Sequence, residues 1–138
     1  MIRRVFVDSD VILDVALARQ PFVKASKVVL SLLETGRAVG FASSNSITNI
    51  YYVLRKSGGD SKAQEFLGNL LKYLTAIPVA HADILNALKS GFSDFEDGVQ
   101  SYAALSHQCE CIITRNVEDY EQSDLDVYLP VQFLSNYE

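Results

Sequence analysis

Three groups of polar residues in this sequence carry side chains that bind metal ions or move protons. They are Asp8 with Asp10, then Asp94, Glu96 and Asp97, and last Asn116 with Asp119. Carboxylates that converge without cations repel one another and raise one another's pKa values. A divalent ion such as Mg²⁺ or Mn²⁺, which prefers carboxylate and water oxygens, relieves this repulsion. Because such an ion can activate water and stabilise a leaving oxygen, these residues indicate metal-assisted phosphate chemistry.

The hydrophobic pattern places each group beside a predicted strand or at the start of a predicted helix. The predicted strands are residues 5–7, 39–42, 74–79, 111–114 and 127–129, and four of the predicted helices are residues 11–17, 61–73, 81–88 and 93–107. Another helix has Pro21 in its first turn and ends at Gly36. A sixth is capped by the serine-rich segment 43–46 and ends before Gly58.

Alternation of strands and helices predicts an α/β fold with right-handed crossovers. We expect a three-layer α/β/α sandwich with a central, mainly parallel sheet. Ligands of such sheets bind beyond the carboxyl ends of the strands, where the strand order switches. Asp8 and Asn116 each follow a predicted strand, so both should lie at that edge.

The acidic residues also have structural explanations that need no chemistry. Ser93 and Glu96 have the spacing of a capping box, and acids in a first helical turn favour the helix dipole. If Asp94 and Asp97 are both helical, they lie on one face. Asp119 suits a turn equally well. Asp8 is harder to explain in this way, because a charge at the end of a buried strand is costly unless it is paired or metal-bound.

Composition limits the class of protein. The chain has 138 residues and is expected to form one domain, residues 1–138, with a hydrophobic content of 49% that allows a large core. Its net charge of −5 means that nucleic acid could bind only through local basic patches. Cys109 and Cys111 do not form a zinc framework and are expected to stay reduced. With neither a signal peptide nor a membrane span expected, the sequence predicts a cytoplasmic protein.

Taken in order, four segments of the chain resemble the PIN domain family. They are VFVDSDVILD at residues 5–14, SITNIYYVLRK at 46–56, DFEDGVQSYAA at 94–104 and IITRNVEDY at 112–120. The resemblance implies a PIN-like fold and an Mg²⁺- or Mn²⁺-dependent ribonuclease, in a family that includes the toxins of VapBC-type toxin–antitoxin pairs. It also implies RNA as substrate, a small antitoxin protein as a partner and a homodimer.

The resemblance assigns roles to individual residues. Asp8, Asp97 and Asp119 are implied as catalytic acids, and the implied metal ligands are Asp8, Asp97, Asp94 and Asn116. Residues implied in substrate binding or in support of the ligands are Ser9, Asp10, Asn49, Thr114 and Arg115. Two positions depart from the family pattern, because Asn49 replaces a glutamate and Asn116 replaces a frequent aspartate. Their neutral amides should weaken metal binding.

Two other functions are compatible with the same residues. One is a PIN domain with a weakened metal site, acting as an RNA-binding or partner-binding module, for which Asn49 and Asn116 are the evidence. The other is a haloacid-dehalogenase-type phosphatase with Asp8 as nucleophile and Asp10 as acid–base. The phosphatase hypothesis would also use Ser43, Lys89, Asp94 and Asp97.

For contacts with RNA phosphates, Arg115 is the strongest candidate, ahead of Arg19, Lys24, Lys27, Arg55 and Lys56.

Overall fold

The computed structural model describes residues 2–137, which form a five-stranded parallel sheet between helices. The strands are β1 (Arg3–Val7), β2 (Ala38–Ser43), β3 (Leu74–Ile77), β4 (Cys111–Ile113) and β5 (Asp126–Tyr128), in the spatial order β3-β2-β1-β4-β5. Every neighbouring pair is parallel. The strand order reverses between β1 and β4, so the carboxyl ends of these two strands form the switch point.

Seven α-helices and one 3₁₀ helix connect or follow the strands within residues 2–137. They are α1 (Ser9–Ala16), α2 (Val23–Glu34), α3 (Ser44–Gly58), α4 (Asp60–Leu70), α5 (His81–Lys89), α6 (Phe95–Ser106), the 3₁₀ helix (Val117–Tyr120) and α7 (Pro130–Asn136). Helices α1, α2, α3, α4 and α7 contribute to a core on one face of the sheet. Helix α6 and the 3₁₀ helix contribute to a core on the other face. The predicted three-layer α/β/α fold is confirmed.

Strand β1 shows how alternation divides the two cores. Val5 and Val7 point into one hydrophobic cluster and Phe6 into the other, and all three are completely buried. Side chains of a strand alternate between faces, so a strand covered on both sides is apolar throughout. Asp8 therefore follows a fully buried run of strand residues and caps the next helix.

Local sequence signals end and start the elements around this sheet. Gly36 takes a φ of +75° after α2, and the Arg37 N–H donates to the Leu32 carbonyl at 2.9 Å. Because a positive φ is unfavourable for residues that carry a Cβ, glycine is the usual residue at a helix end of this kind. Ser43 ends β2 and caps α3, accepting a hydrogen bond from the Ser46 N–H at 3.1 Å. Both signals were predicted from the sequence.

The structure corrects four details of the sequence-based assignment. Pro21 lies before the first turn of α2, which begins at Val23. Helix α4 ends at Leu70, before the predicted residue 73. The final helix α7 was not predicted, although Pro130 at its first position is a helix-start signal. The capping box of Ser93 and Glu96 is wrong, because Asp94 is the residue that caps α6.

Within residues 2–137, no helix is both long enough and apolar enough to cross a membrane. Cys109 and Cys111 are both free and buried. Burial raises the thiol pKa of Cys109 to about 11 and that of Cys111 to about 12.

Candidate active site

Asp8 is the most enclosed carboxylate at the switch point between β1 and β4. It is only 6% exposed. Its Oδ1 accepts a hydrogen bond from the Ser9 N–H at 2.7 Å, so Asp8 caps α1. Its Oδ2 accepts a hydrogen bond at 2.9 Å from the hydroxyl of Thr114, the residue that follows β4. Burial raises the Asp8 pKa, and the hydrogen bond from Thr114 partly opposes that rise. These hydrogen bonds therefore offset part of the cost of burying the Asp8 carboxylate.

Asp10 is bound by the loop that follows β4. Its carboxylate accepts from the Asn116 side-chain amide at 2.9 Å and from the Arg115 backbone N–H at 3.2 Å. The Thr114 hydroxyl lies 3.4 Å from the same carboxylate. Burial and the charge of Asp8 raise the Asp10 pKa to about 7. Asp10 thus anchors the loop of residues 114–116 against α1, beside Asp8.

Asp97 approaches Asp8 from helix α6. Burial, then the charges of Asp8 and Asp94, raise its pKa to about 7. The charge of Asp119 in the 3₁₀ helix adds a smaller contribution in the same direction. Asp94 is not helical, contrary to the expectation of a shared helix face. Its carboxylate instead accepts the Asp97 backbone N–H at 3.0 Å, and this bond holds the first turn of α6 in place.

Tyr120 is a site residue that the sequence reasoning missed. Its ring is buried at 1% exposure, and its hydroxyl donates to Asp8 Oδ2 at 3.1 Å. The Gln100 side-chain amide donates to the same hydroxyl at 3.3 Å, which orients the hydroxyl hydrogen toward Asp8. Burial, followed by the charge of Asp8, raises the Tyr120 pKa, so the phenol stays a donor. The available signal was a tyrosine directly after the proposed acid Asp119.

The sequence reasoning also missed Asp14, although it is the last residue of the segment 5–14 that resembles the PIN domain family. It is completely buried, one helical turn after Asp10. Its Oδ2 lies 2.7 Å from Arg115 Nε and its Oδ1 lies 3.6 Å from Arg19 Nη1. Neither oxygen accepts a hydrogen bond of good geometry from the described residues, so these contacts are ion pairs rather than aligned hydrogen bonds. The Arg115 guanidinium also lies 4.0 Å over the Phe22 ring.

Two of the predicted residues, Asn49 and Asn116, lie at exposed positions. Asn49 is exposed on α3, and no hydrogen bond among residues 2–137 joins its side chain to Asp8 or Asp97. Asn116 is also exposed, and its amide nitrogen is used in the bond to Asp10. The structure therefore brings together Asp8, Asp10, Thr114 and the loop backbone by direct bonds. Asp97, Asp94 and Asp119 join them through electrostatic proximity.

The donor set at this edge suits a hard divalent cation. Asp8 and Asp97 present carboxylate oxygens whose mutual charge is unfavourable without a cation. Across residues 2–137, no three His, Cys, Asp or Glu side chains form a cluster that could hold an ion alone. Mg²⁺ usually keeps several waters and takes only one or two protein carboxylates.

Comparisons with known proteins identify the family. A PIN domain family model matches residues 4–118. The ribonuclease VapC1 of Aquifex aeolicus (strain VF5) is 28% identical over 139 residues, which cover 97% of this chain and 95% of the relative.

Solved structures of low sequence identity share the fold. VapBC2 from Rickettsia felis, bound to a DNA fragment from its promoter, matches with a TM-score of 0.70 and 14% identity, over 90% of this chain and 96% of that one. A toxin–antitoxin complex from Klebsiella pneumoniae matches with a TM-score of 0.68 and 18% identity, over 91% and 97%. Since the family model spans most of the chain, this protein belongs to the PIN domain family.

Proposed function

We propose that this protein is a metal-dependent endoribonuclease that hydrolyses RNA phosphodiester bonds. The single observation that supports this most is the buried carboxylate of Asp8 at the switch point of the sheet, close enough to Asp97 for their charges to interact. Membership of the PIN domain family favours nuclease chemistry over the phosphatase alternative. The likeness to the Aquifex ribonuclease supports RNA as the substrate.

Asp8 and Asp97 would hold Mg²⁺ or Mn²⁺, with Asp119 and the Asn116 carbonyl oxygen as further oxygen donors. Bound there, the ion would lower the pKa of a water and neutralise charge on the phosphate. Thr114 and Tyr120 hold the Asp8 carboxylate in one orientation by donating to its Oδ2. Such supporting bonds orient ligands and strengthen metal binding. Asp94 fixes the backbone at Asp97, and Asp10 fixes the loop beside Asp8.

Cleavage of single-stranded RNA in the presence of Mn²⁺, by wild type and Asp8→Asn, tests this proposal. The amide keeps the size of the carboxylate but removes its charge, so we expect Asp8→Asn to lose cleavage almost completely. Glu118→Gln is the matched control, because Glu118 is an exposed acid in the same loop region. It should cleave like wild type.

The outcomes separate the alternatives. Equal cleavage by wild type and Asp8→Asn would overturn the assignment of Asp8 and point to a contaminating nuclease. Binding of RNA without cleavage by any variant, with Mn²⁺ present, would favour the binding module that Asn49 and Asn116 suggest. A covalent aspartyl-phosphate mimic at Asp8 would instead support the phosphatase.

We further propose that the protein is the toxin of a toxin–antitoxin pair. Its likeness in fold to chains of the Rickettsia and Klebsiella complexes supports a small protein partner. Purification with the product of a neighbouring reading frame is the expected result, and a chain that never acquires a stoichiometric partner would count against it. The homodimer remains a prediction, which a measurement of molar mass by light scattering decides.

A further inference from the structure

An apolar groove opens beside the candidate active site, between the start of α2 and the start of α7. Its volume is about 400 Å³, which falls within the range of roughly 300–1,000 Å³ for pockets that enclose small molecules. Its walls include Pro21, Phe22, Pro130 and Val131, together with Arg115. Phe22 is 40% exposed and Val131 is 56% exposed, so apolar surface is open to a ligand.

Arg115 connects this groove to the carboxylates. Its backbone N–H donates to Asp10 at 3.2 Å, while its side chain lines the groove. The guanidinium carbon lies over the Phe22 ring, 4.0 Å from the ring centre. Arg115 therefore links the groove to the loop that Asp10 holds beside Asp8.

The charge near the groove is opposite to the net charge of the protein. Two arginines, Arg115 and Arg19, share the single buried carboxylate of Asp14. These three side chains together carry one excess positive charge, in a chain whose net charge is −5. Asp10, which accepts the Arg115 backbone N–H, does not line the groove. A ligand that joins a flat apolar group to a negative charge matches this combination. A basic polypeptide does not, because its cations would meet the excess positive charge.

We propose that the groove binds one unpaired nucleobase of the RNA substrate, next to the nucleotide whose phosphate reacts. Unpaired bases stack on aromatic rings and on arginine guanidinium planes, and the Phe22–Arg115 pair offers both surfaces. The adjoining backbone phosphate lies on the side of the excess positive charge. This inference rests on the proposed ribonuclease function and names a specificity-determining subsite for it, with Phe22 and Arg115 as its base-contacting residues.

Binding of a short, fluorescein-labelled single-stranded RNA of random sequence tests the subsite. Fluorescence anisotropy with Ca²⁺ replacing Mn²⁺ measures affinity separately from cleavage. Base–aromatic stacking contributes about 1–3 kcal/mol per base, and tenfold in affinity corresponds to about 1.4 kcal/mol. Phe22→Ala should therefore weaken RNA binding by roughly 5- to 150-fold. Tyr52→Ala is the matched control, because Tyr52 is an exposed aromatic residue outside the groove.

If Phe22→Ala misfolds, a pair of charge variants at exposed Val131 still tests the subsite. Val131→Asp should weaken RNA binding and Val131→Lys should strengthen it, since the phosphate is negative. Equal losses in Phe22→Ala and Tyr52→Ala, or the same affinity in both Val131 variants, would overturn the subsite. Tighter binding of a basic partner polypeptide by Val131→Asp, with unchanged RNA affinity, would overturn it in favour of a protein-docking groove. Failure of wild type to bind or cleave RNA would instead refute the proposed function itself.

Discussion

Replacement of Asp97 by asparagine should make the metal-free protein more stable at neutral and alkaline pH. Asp97 has a pKa of about 7 in the folded chain, above its ordinary value of 3.8, because of burial and the nearby charge of Asp8. A carboxyl with a raised pKa binds protons more tightly in the folded state than in the unfolded state. Stability therefore falls as pH rises from about 4 to about 7, and the loss is complete above that range.

The magnitude follows from that rise in pKa. Each pKa unit corresponds to about 1.4 kcal/mol, so the ionised Asp97 would cost the folded state at most about 4 kcal/mol. The side chain is half-buried, and solvent screening reduces the effect. We expect Asp97→Asn to raise the free energy of unfolding by about 2 kcal/mol near pH 8. Near pH 4 the two proteins should be about equally stable, because Asp97 is then largely protonated.

Urea unfolding followed by circular dichroism, in EDTA and at several pH values from about 4.5 to 8, measures this difference. Asp124→Asn serves as the control, since Asp124 is an exposed acid. Addition of Mn²⁺ should stabilise wild type more than Asp97→Asn and so narrow the gap. A stability difference that does not change with pH, or a variant that is less stable near pH 8, would refute the electrostatic reasoning.

Two further substitutions test the contacts that the sequence did not reveal. Tyr120→Phe removes the hydroxyl bonded to Asp8, and we expect Mn²⁺ affinity measured by calorimetry to fall about tenfold. Unchanged affinity would show that the hydroxyl does not orient Asp8. Asp14→Asn removes the partner of Arg115 and Arg19, and breaking a buried ion pair costs about 3–5 kcal/mol. Because both arginines are partly exposed, a loss of about 2–3 kcal/mol in urea unfolding is expected. An exposed ion pair typically contributes about 0.5 kcal/mol to the free energy of unfolding, and a loss smaller than that would contradict the role of Asp14.

The elements of this fold follow from local sequence signals. The run ending at Val7 predicts a buried strand, Gly36 ends α2, and Ser43 caps α3. Each signal depends on neighbours a few positions away, so it can be read along the chain. Local signals also compete, and Asp94 rather than Ser93 caps α6. Both residue types are good caps, and the pattern by itself does not choose between adjacent positions.

The candidate site is less local. Asp8, Asp10 and Asn116 were selected because each follows a predicted strand, and parallel strands bring their carboxyl ends to one edge. The sequence does not predict which hydrogen bonds each of these side chains makes. Asn116 donates to Asp10 instead of lying free, and this bond joins residues separated by 106 positions. The family resemblance implies Asn49 as a site residue. In the structure Asn49 is exposed, and among the described residues no hydrogen bond joins its side chain to the site.

Sequence alone determined the α/β architecture, the edge of the sheet where polar chemistry can occur and the acids at that edge. These follow from periodicity and from the cost of ending a buried strand with a charge. Tertiary structure alone decided which groups touch those acids. Tyr120 reaches Asp8 across 112 positions, and the Arg115 side chain contacts Asp14 and Phe22. The direction of a side chain depends on the packing of distant elements, and no local pattern encodes that packing.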